Sequence, residues 1–253
     1  MSTSLPSGPA PSGFSTGLIP RDYKSHPPGY LSYAPAFSEA LILPEVEWEE
    51  RLREQKAAKA SLFDIRERYY EHLKSLNQDG LGLCWAFSTT KAVMYLQSLM
   101  SVPTVRLSAW WVAGKIKNWR DQGGWGAESL EGFVNRGAPK ESLCPGYKSS
   151  YDTSECQADA AKHKVTEWWD GTNSKDKNRA IMISCFLQNI PHADDFNHLS
   201  HSMCGCYLES INPLVIWEDN SWSESYGTKG LMKLSGSKAI PDGIAIPRVT
   251  YPV

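Results

Sequence analysis

Cys84 lies between a turn and a long apolar segment, where its thiol could act as a nucleophile. Segment 84–100 contains no glycine or proline and predicts a buried helix, which Pro103 ends. Unpaired backbone N–H groups and the positive end of the dipole at a helix N-terminus stabilise a thiolate, the form that attacks a carbonyl. Gln78, in the turn 77–82, could donate its side-chain amide to an oxyanion. Residue type alone does not decide the matter, because most cysteines are small buried apolar residues.

The residues around Cys84 resemble the active-site segment of papain and its relatives. Both have an Asn-Gln turn, a glycine two positions before the cysteine, and the sequence Cys-Trp-Ala-Phe-Ser, which here occupies 84–88. The resemblance implies that Cys84 is the nucleophile, that Gln78 is the oxyanion-hole glutamine and that Trp85 supports the site.

Two positions depart from the family's pattern. Leu81 stands where the family usually has a cysteine, so a structural disulfide of the secreted members is missing, which fits a reducing compartment. Leu83 stands where the family has a small residue, and its bulk could crowd the cleft. This second departure affects the expected rate and substrate range more than the fold.

A thiolate needs a base and a group that orients the base. In papain-like enzymes the catalytic histidine opens a β-strand of small and apolar residues, and 201–208 fits that description. Segments 217–222 and 226–230 resemble the family's Asn-Ser-Trp-Gly motif and the Trp-Gly-x-x-Gly that follows it. The resemblance implies that His201 is the base. Asn220 would accept its ring N–H and fix its tautomer, and Trp222 would shield that bond from water.

A third motif lies between these two groups. Gly123, Gly124 and Trp125 resemble the family's Gly-Gly turn, which pairs with the substrate backbone and is followed by a residue of a side-chain pocket. The resemblance implies that the two glycines bind substrate backbone and that Trp125 forms a pocket wall. A plain Gly-Gly turn packed by a core tryptophan remains the alternative.

The predicted elements place these residues on two halves of an α+β protein. Helices are predicted at 84–100, 107–118 and 126–136, and short strands at 181–187, 203–208, 214–217, 230–234 and 244–250. Helices first and strands later favour segregated halves. The resemblance implies a papain-like domain over 61–253, with a helical half at about 61–150, an antiparallel β half at about 165–253, and the active-site cleft between them. Segment 63–66 resembles the first strand of the mature enzymes and sets the start of the domain.

Residues 1–60 form an N-terminal extension. Its first 44 residues are rich in Pro, Gly and Ser and predict an extended arm that could meet a protein partner. Segment 46–60 is dense in charged residues and predicts a solvated helix. The extension is shorter than the family's usual inhibitory prodomain and lacks its long helical pattern.

Composition excludes several classes of function. The chain has 253 residues and a formal net charge of −2, so we expect no nucleic-acid binding. It has no apolar run of membrane-spanning length and no signal-peptide pattern, so we expect no membrane association and a cytoplasmic location. Six cysteines are too few for a disulfide scaffold of this size.

A zinc site is one alternative for the segment 192–206. His192, His198, His201, Cys204 and Cys206 crowd together there, but they lack the paired spacing typical of zinc ligands. We therefore predict no metal and no cofactor.

The combined prediction is a cysteine peptidase that hydrolyses peptide or protein substrates through an acyl-enzyme on Cys84, although a transferase would use the same intermediate. The alternative is a non-catalytic structural or assembly protein on the same fold, such as a virion component if the chain is encoded by a bacteriophage. The cleft discriminates between them. A scaffold should bury Cys84 under the arm or a partner, and an enzyme should leave it open.

Overall fold

The structure is a computed structural model that describes residues 13–29, 35–100 and 102–250. Its helices are α1 (Trp48–Ala58), α2 (Leu62–Arg68), α3 (Tyr70–Leu73), α4 (Cys84–Leu99), α5 (Ala109–Lys117), α6 (Gly126–Asn135), α7 (Ser154–Ala160) and α8 (Lys175–Leu187). Its strands are β1 (Val165–Asp170), β2 (Ala193–Phe196), β3 (His201–Ile211), β4 (Leu214–Asp219), β5 (Leu231–Ser235) and β6 (Gly243–Thr250). Within the described residues, no helix is both long and apolar enough to cross a lipid bilayer.

The six strands form one sheet in the order β1-β6-β2-β3-β4-β5, and every pairing is antiparallel. Side chains alternate between the two faces of the sheet. On one face Cys204 and Ala245 pack with α4, α5 and α6, and on the other Met203 and Ile244 pack with α8 and α1. The protein therefore has a helical half on an antiparallel β half, which confirms the predicted α+β organisation.

Helix α4 is the element between the halves. Asp79 and Gly80 both have positive φ, so the chain turns sharply before the helix begins at Cys84. Every residue of the helix from Cys84 to Ser98 is buried, because α4 packs on the sheet and on α5 and α6. Burial on all sides explains its apolar sequence.

Three of the predicted helices and four of the predicted strands are confirmed, but the strand predicted at 181–187 is wrong. It forms the second half of α8, which Ser174 caps by accepting from the Lys177 N–H. All seven residues from 181 to 187 are buried, so their sequence has no helical periodicity. A short continuous apolar run does not distinguish a buried helix from a buried strand.

One prediction near the N-terminus is also wrong, and another is confirmed only in part. Segment 63–66 is not a strand but lies in α2, where Ser61 and Asp64 form a capping box. The charged helix α1 is solvated on one side only. Its Trp48 and Leu52 are buried in a core shared with α8. Most of the arm, at 13–29 and 35–44, lies on the domain without regular helix or strand apart from one short turn of 3-10 helix at Glu39–Leu41. Residues 1–12 and 30–34 are outside the described residues.

A buried ion-pair network joins α2 and α4 to the sheet. The Arg66 side chain is fully buried, and its Nε donates to Asp219 Oδ2 at 3.1 Å. Lys91 Nζ lies 3.1 Å from the same oxygen. Replacing Arg66 with methionine should lower the free energy of unfolding by about 3 to 5 kcal/mol, since removing one partner of a buried pair leaves the other uncompensated.

Urea denaturation of Arg66→Met measures this loss. Arg51→Met is the matched control, because Arg51 pairs with Glu47 on an exposed surface and should change stability by less than about 1 kcal/mol. Equal midpoints for both variants would show that the network is not stabilising.

Candidate active site

The thiol of Cys84 lies at the first turn of α4 and is completely buried. Burial raises its pKa to about 12, against the opposing effect of backbone N–H groups of Ser202, Gly17 and Trp85. The helix N-terminus therefore does not give a thiolate here, because the loss of hydration outweighs it. In this structure the nucleophile predicted from the sequence is a neutral thiol.

His201 opens β3 and lies next to Ser202, which contacts the Cys84 thiol. Its Nε2 is 2.7 Å from Asn220 Oδ1, at the end of β4. The ring of Trp222 stacks on the imidazole with centroids 4.5 Å apart and covers this hydrogen bond. Burial lowers the pKa of His201 to about 4, so the imidazole is neutral, and its Nδ1 has no hydrogen-bond partner among the described residues.

Gln78 is held beside this group by Ser221. The Gln78 N–H donates to the Ser221 carbonyl at 2.9 Å, and the Ser221 hydroxyl donates to Gln78 Oε1 at 2.5 Å. With its oxygen bound in this way, the amide donates from Nε2 to the Leu81 carbonyl of its own turn at 2.5 Å and to the Ser15 carbonyl at 2.8 Å. Gln78 therefore presents an N–H donor to a carbonyl oxygen in the cleft, as an oxyanion-hole donor would.

That carbonyl belongs to the N-terminal arm, which occupies the cleft. Ser15 O also accepts from Trp222 Nε1 at 2.9 Å, and the Phe14 ring stacks on Trp222 with centroids 5.1 Å apart. Gly17 lies directly over the turn before Cys84. A Cβ at this position would be 1.8 Å from Gly82 O, so only glycine allows this approach.

The arm then pairs with the Gly-Gly turn. The Gly124 N–H donates to Gly17 O at 3.0 Å, and the Ile19 N–H donates to Gly124 O at 3.0 Å. On the opposite side the Leu18 N–H donates to Ser200 O at 3.1 Å. Backbone hydrogen bonds from both halves of the domain therefore hold the arm segment 17–19, and Gly124 pairs with this extended segment.

The tryptophans singled out from the sequence lie beneath and beside this turn. Trp85 is fully buried against Gly124, where an added Cβ would come within 2.7 Å of its indole. Trp125 is half-buried and packs on His26 of the arm, with ring centroids 5.3 Å apart. Trp85 thus packs beneath Gly124 of the Gly-Gly turn, and the Trp125 ring lies against the arm.

No protein-family model and no curated protein matches the chain, but solved structures resemble it. Xylellain, a cysteine protease from Xylella fastidiosa, matches with a TM-score of 0.61 over 94% of this chain and 97% of its own, at 14% identity. ProCathepsin B S9 from Trypanosoma congolense gives 0.61 over 93% of this chain and 87% of its own, at 16% identity. The chain has the papain-like fold. Bromelain from Ananas comosus, solved with the E64 inhibitor, gives 0.56 over 72% of this chain and 96% of its own, at 21% identity.

On this papain-like fold, the histidines and cysteines considered for zinc lie in different surroundings. His192 is buried with Nε2 3.3 Å from Asp194 Oδ2, on the face of the sheet that packs on α8. Cys204 and Cys206 belong to the core of the helical half. His198 lies on the short turn Asn197–Leu199.

Two features of the cleft were missed in the sequence. One is the path of the arm through it, which depends on backbone atoms of Gly17 and Leu18 and so leaves no side-chain pattern to read. The other is Asp195, a buried carboxylate that accepts from the Gly126 N–H at 3.1 Å and acts electrostatically on Cys84. No alternation of polar and apolar residues marks β2, whose four residues are all buried, so the strand and the position of Asp195 in it were not predicted.

Proposed function

We propose that this protein is a papain-like cysteine peptidase held latent by its own N-terminal arm. The proposal rests on one convergence: His201 pairs with Asn220, and the residues that follow these two, Ser202 and Ser221, contact the Cys84 thiol and hold the Gln78 amide. A buried imidazole, its orienting amide and an oxyanion donor around one thiol are the set that nucleophilic acyl transfer requires.

The proposed reaction begins when the arm leaves and water returns to the cleft. His201 takes the proton of Cys84, and the thiolate attacks the substrate carbonyl carbon. Gln78 Nε2 and the Cys84 N–H stabilise the oxyanion. His201 then protonates the leaving amine, which leaves a thioester. Finally, a water deprotonated by His201 releases the carboxylic acid and restores the thiol.

By the criterion set from the sequence, the covered cleft favours the alternative, a non-catalytic structural protein. From the sequence, a structural protein was expected to bury Cys84 under the arm, and Gly17 does so. Latency accounts better for the rest of the site. A scaffold has no use for a Gln78 amide held by Ser221 and aimed at a carbonyl, or for a histidine paired with Asn220 under Trp222.

Intact mass after treatment with a papain-family epoxide at neutral pH tests the proposal. The full chain, its Gly17→Ala variant and a Gly17→Ala/Cys84→Ala variant are compared. We expect one adduct on Gly17→Ala, less on the wild type and none once Cys84 is absent. Absence of an adduct on Gly17→Ala would favour the structural candidate.

The role of Gln78 gives a separate prediction. Gln78→Ala in the Gly17→Ala background should lower kcat for a peptide substrate by roughly 10- to 1000-fold, because one oxyanion-hole donor is lost. KM should change less, since the donor acts on charge that develops only in the transition state. Gln188→Ala is the control, as that amide binds backbone carbonyls of Leu41 and Ser184 in the β half. Equal turnover of the Gln78→Ala variant and its parent would refute the oxyanion role.

A further inference from the structure

The sheet carries a small acidic recess where it faces the helical half. Asp195 of β2 is paired with Gly243 of β6, and Asp170 of β1 is paired with Ala245. Residues 243 and 245 are two apart, so both carboxylates lie on the same face of the sheet. Between them β6 presents only a glycine and an alanine, which leaves room for a side chain.

This recess adjoins the Gly-Gly turn that pairs with the arm. A Cβ added to Gly126, two residues after Gly124, would lie 3.2 Å from Ala245 Cβ and 3.5 Å from Asp195 Oδ1. Asp195 is paired across β2 and β3 with Ser202, whose backbone contacts the Cys84 thiol, so this carboxylate lies close to the candidate nucleophile. A peptide bound along Gly124 therefore passes over the recess.

The arm fills the recess with a guanidinium. Arg21 Nη1 and Nη2 donate to the two oxygens of Asp170 at 2.7 and 2.8 Å, and Asp195 interacts with the same cation. The Arg21 side chain is 6% exposed and that of Asp170 is 1% exposed. Such fork-to-fork pairing is the strongest form of carboxylate recognition by a side chain.

One carboxylate oxygen in the recess is unused. Asp195 is 8% exposed, its Oδ2 accepts from the Gly126 N–H, and the Ser202 side chain is a second donor that lowers its pKa, but its Oδ1 makes no hydrogen bond of normal geometry with the described residues. Burial raises its pKa to about 7. A buried carboxylate is stabilised by a cation that reaches it, and removal of Arg21 would leave two such groups without one.

We propose that Asp170 and Asp195 form a specificity pocket for a basic side chain of the substrate, and that Arg21 of the arm occupies it as an internal ligand. The proposal rests on the proposed peptidase function and names its substrate class: peptides with arginine or lysine near the cleavage site. When the arm leaves, the basic side chain of a substrate takes the place of Arg21 in the pocket.

Paired covalent probes test the pocket. Two peptidyl vinyl sulfones are made that differ only in arginine or leucine, once at the first and once at the second residue from the electrophile. The second-order rate of Cys84 labelling is followed by intact mass on full-length Gly17→Ala protein. At one of the two positions, the arginine probe should react about 10-fold faster or more.

Asp170→Asn and Asp195→Asn should each reduce this arginine-to-leucine ratio about 10-fold. The ratio is taken within each variant, so any general change in arm binding or reactivity cancels. Asp152→Asn is the matched control, because its carboxylate pairs with Lys115 in the helical half, and it should leave the ratio unchanged.

The two proposals fail differently. A ratio near or below one at both positions, or one that neither Asp170→Asn nor Asp195→Asn alters, overturns the pocket and leaves the peptidase function intact. If no probe labels Cys84 in any variant, the peptidase function fails, and the substrate class falls with it.

Discussion

His201→Ala is expected to lower peptide hydrolysis by the Gly17→Ala protein by roughly 10²- to 10⁴-fold. In the proposed reaction this imidazole both takes the thiol proton and returns one to the leaving amine, so its loss removes general acid–base catalysis from both steps. Asn220→Ala should cost less, because the ring remains and only its orientation and tautomer are released from the 2.7 Å hydrogen bond.

Kinetics of peptide cleavage by these two variants measure both effects, with His198→Ala as the control. His198 is also next to β3, but it lies on the turn Asn197–Leu199 and faces Phe196 instead of the cleft. A His201→Ala variant as active as its parent would contradict the base assignment. If Asn220→Ala is as active as its parent, only the role of Asn220 in orienting His201 would be refuted.

The candidate site residues could be named from the sequence because each belongs to a short motif. Cys84, His201 and Asn220 are far apart in sequence, but each has neighbours that resemble the family's motifs. In the structure His201 pairs with Asn220, and the next residue, Ser202, contacts the Cys84 thiol. The order of helices and strands was predictable for the same reason, since most elements follow their own periodicity.

The protonation state of the site was not predictable. The helix N-terminus at Cys84 favours a thiolate, but this local effect is overcome by the complete burial of the thiol, and one of the segments that contact it is at Gly17, 67 positions upstream (84 − 17). Burial by a distant segment is a tertiary property, and backbone contacts of a glycine leave no signature in composition. The acidic recess was hidden similarly, because only the register of β1, β6 and β2 brings Asp170 and Asp195 to one face.

Gly17→Ala should raise the rate of Cys84 alkylation by iodoacetamide at pH 7 by roughly 100-fold or more. A methyl group at this position would lie 1.8 Å from Gly82 O in the turn before α4, so the two segments cannot keep this approach, and we expect the arm to move away. Once water and His201 reach the thiol, a thiolate–imidazolium pair can form, and such pairs hold the cysteine pKa far below its ordinary value.

The pH dependence of alkylation separates this explanation from a simple gain of access. With the arm in place the thiol pKa is about 12, so the wild-type rate should rise about 10-fold per pH unit between pH 7 and 10. The Gly17→Ala rate should be nearly flat over the same range, since its thiolate is already formed. Gly146→Ala is the matched control, because a Cβ there meets only Tyr151 at 3.8 Å, and it should follow the wild type. Parallel slopes for Gly17→Ala and the wild type would mean that the arm blocks entry without setting the charge of Cys84, and a flat wild-type profile would mean that the arm does not hold the thiol neutral.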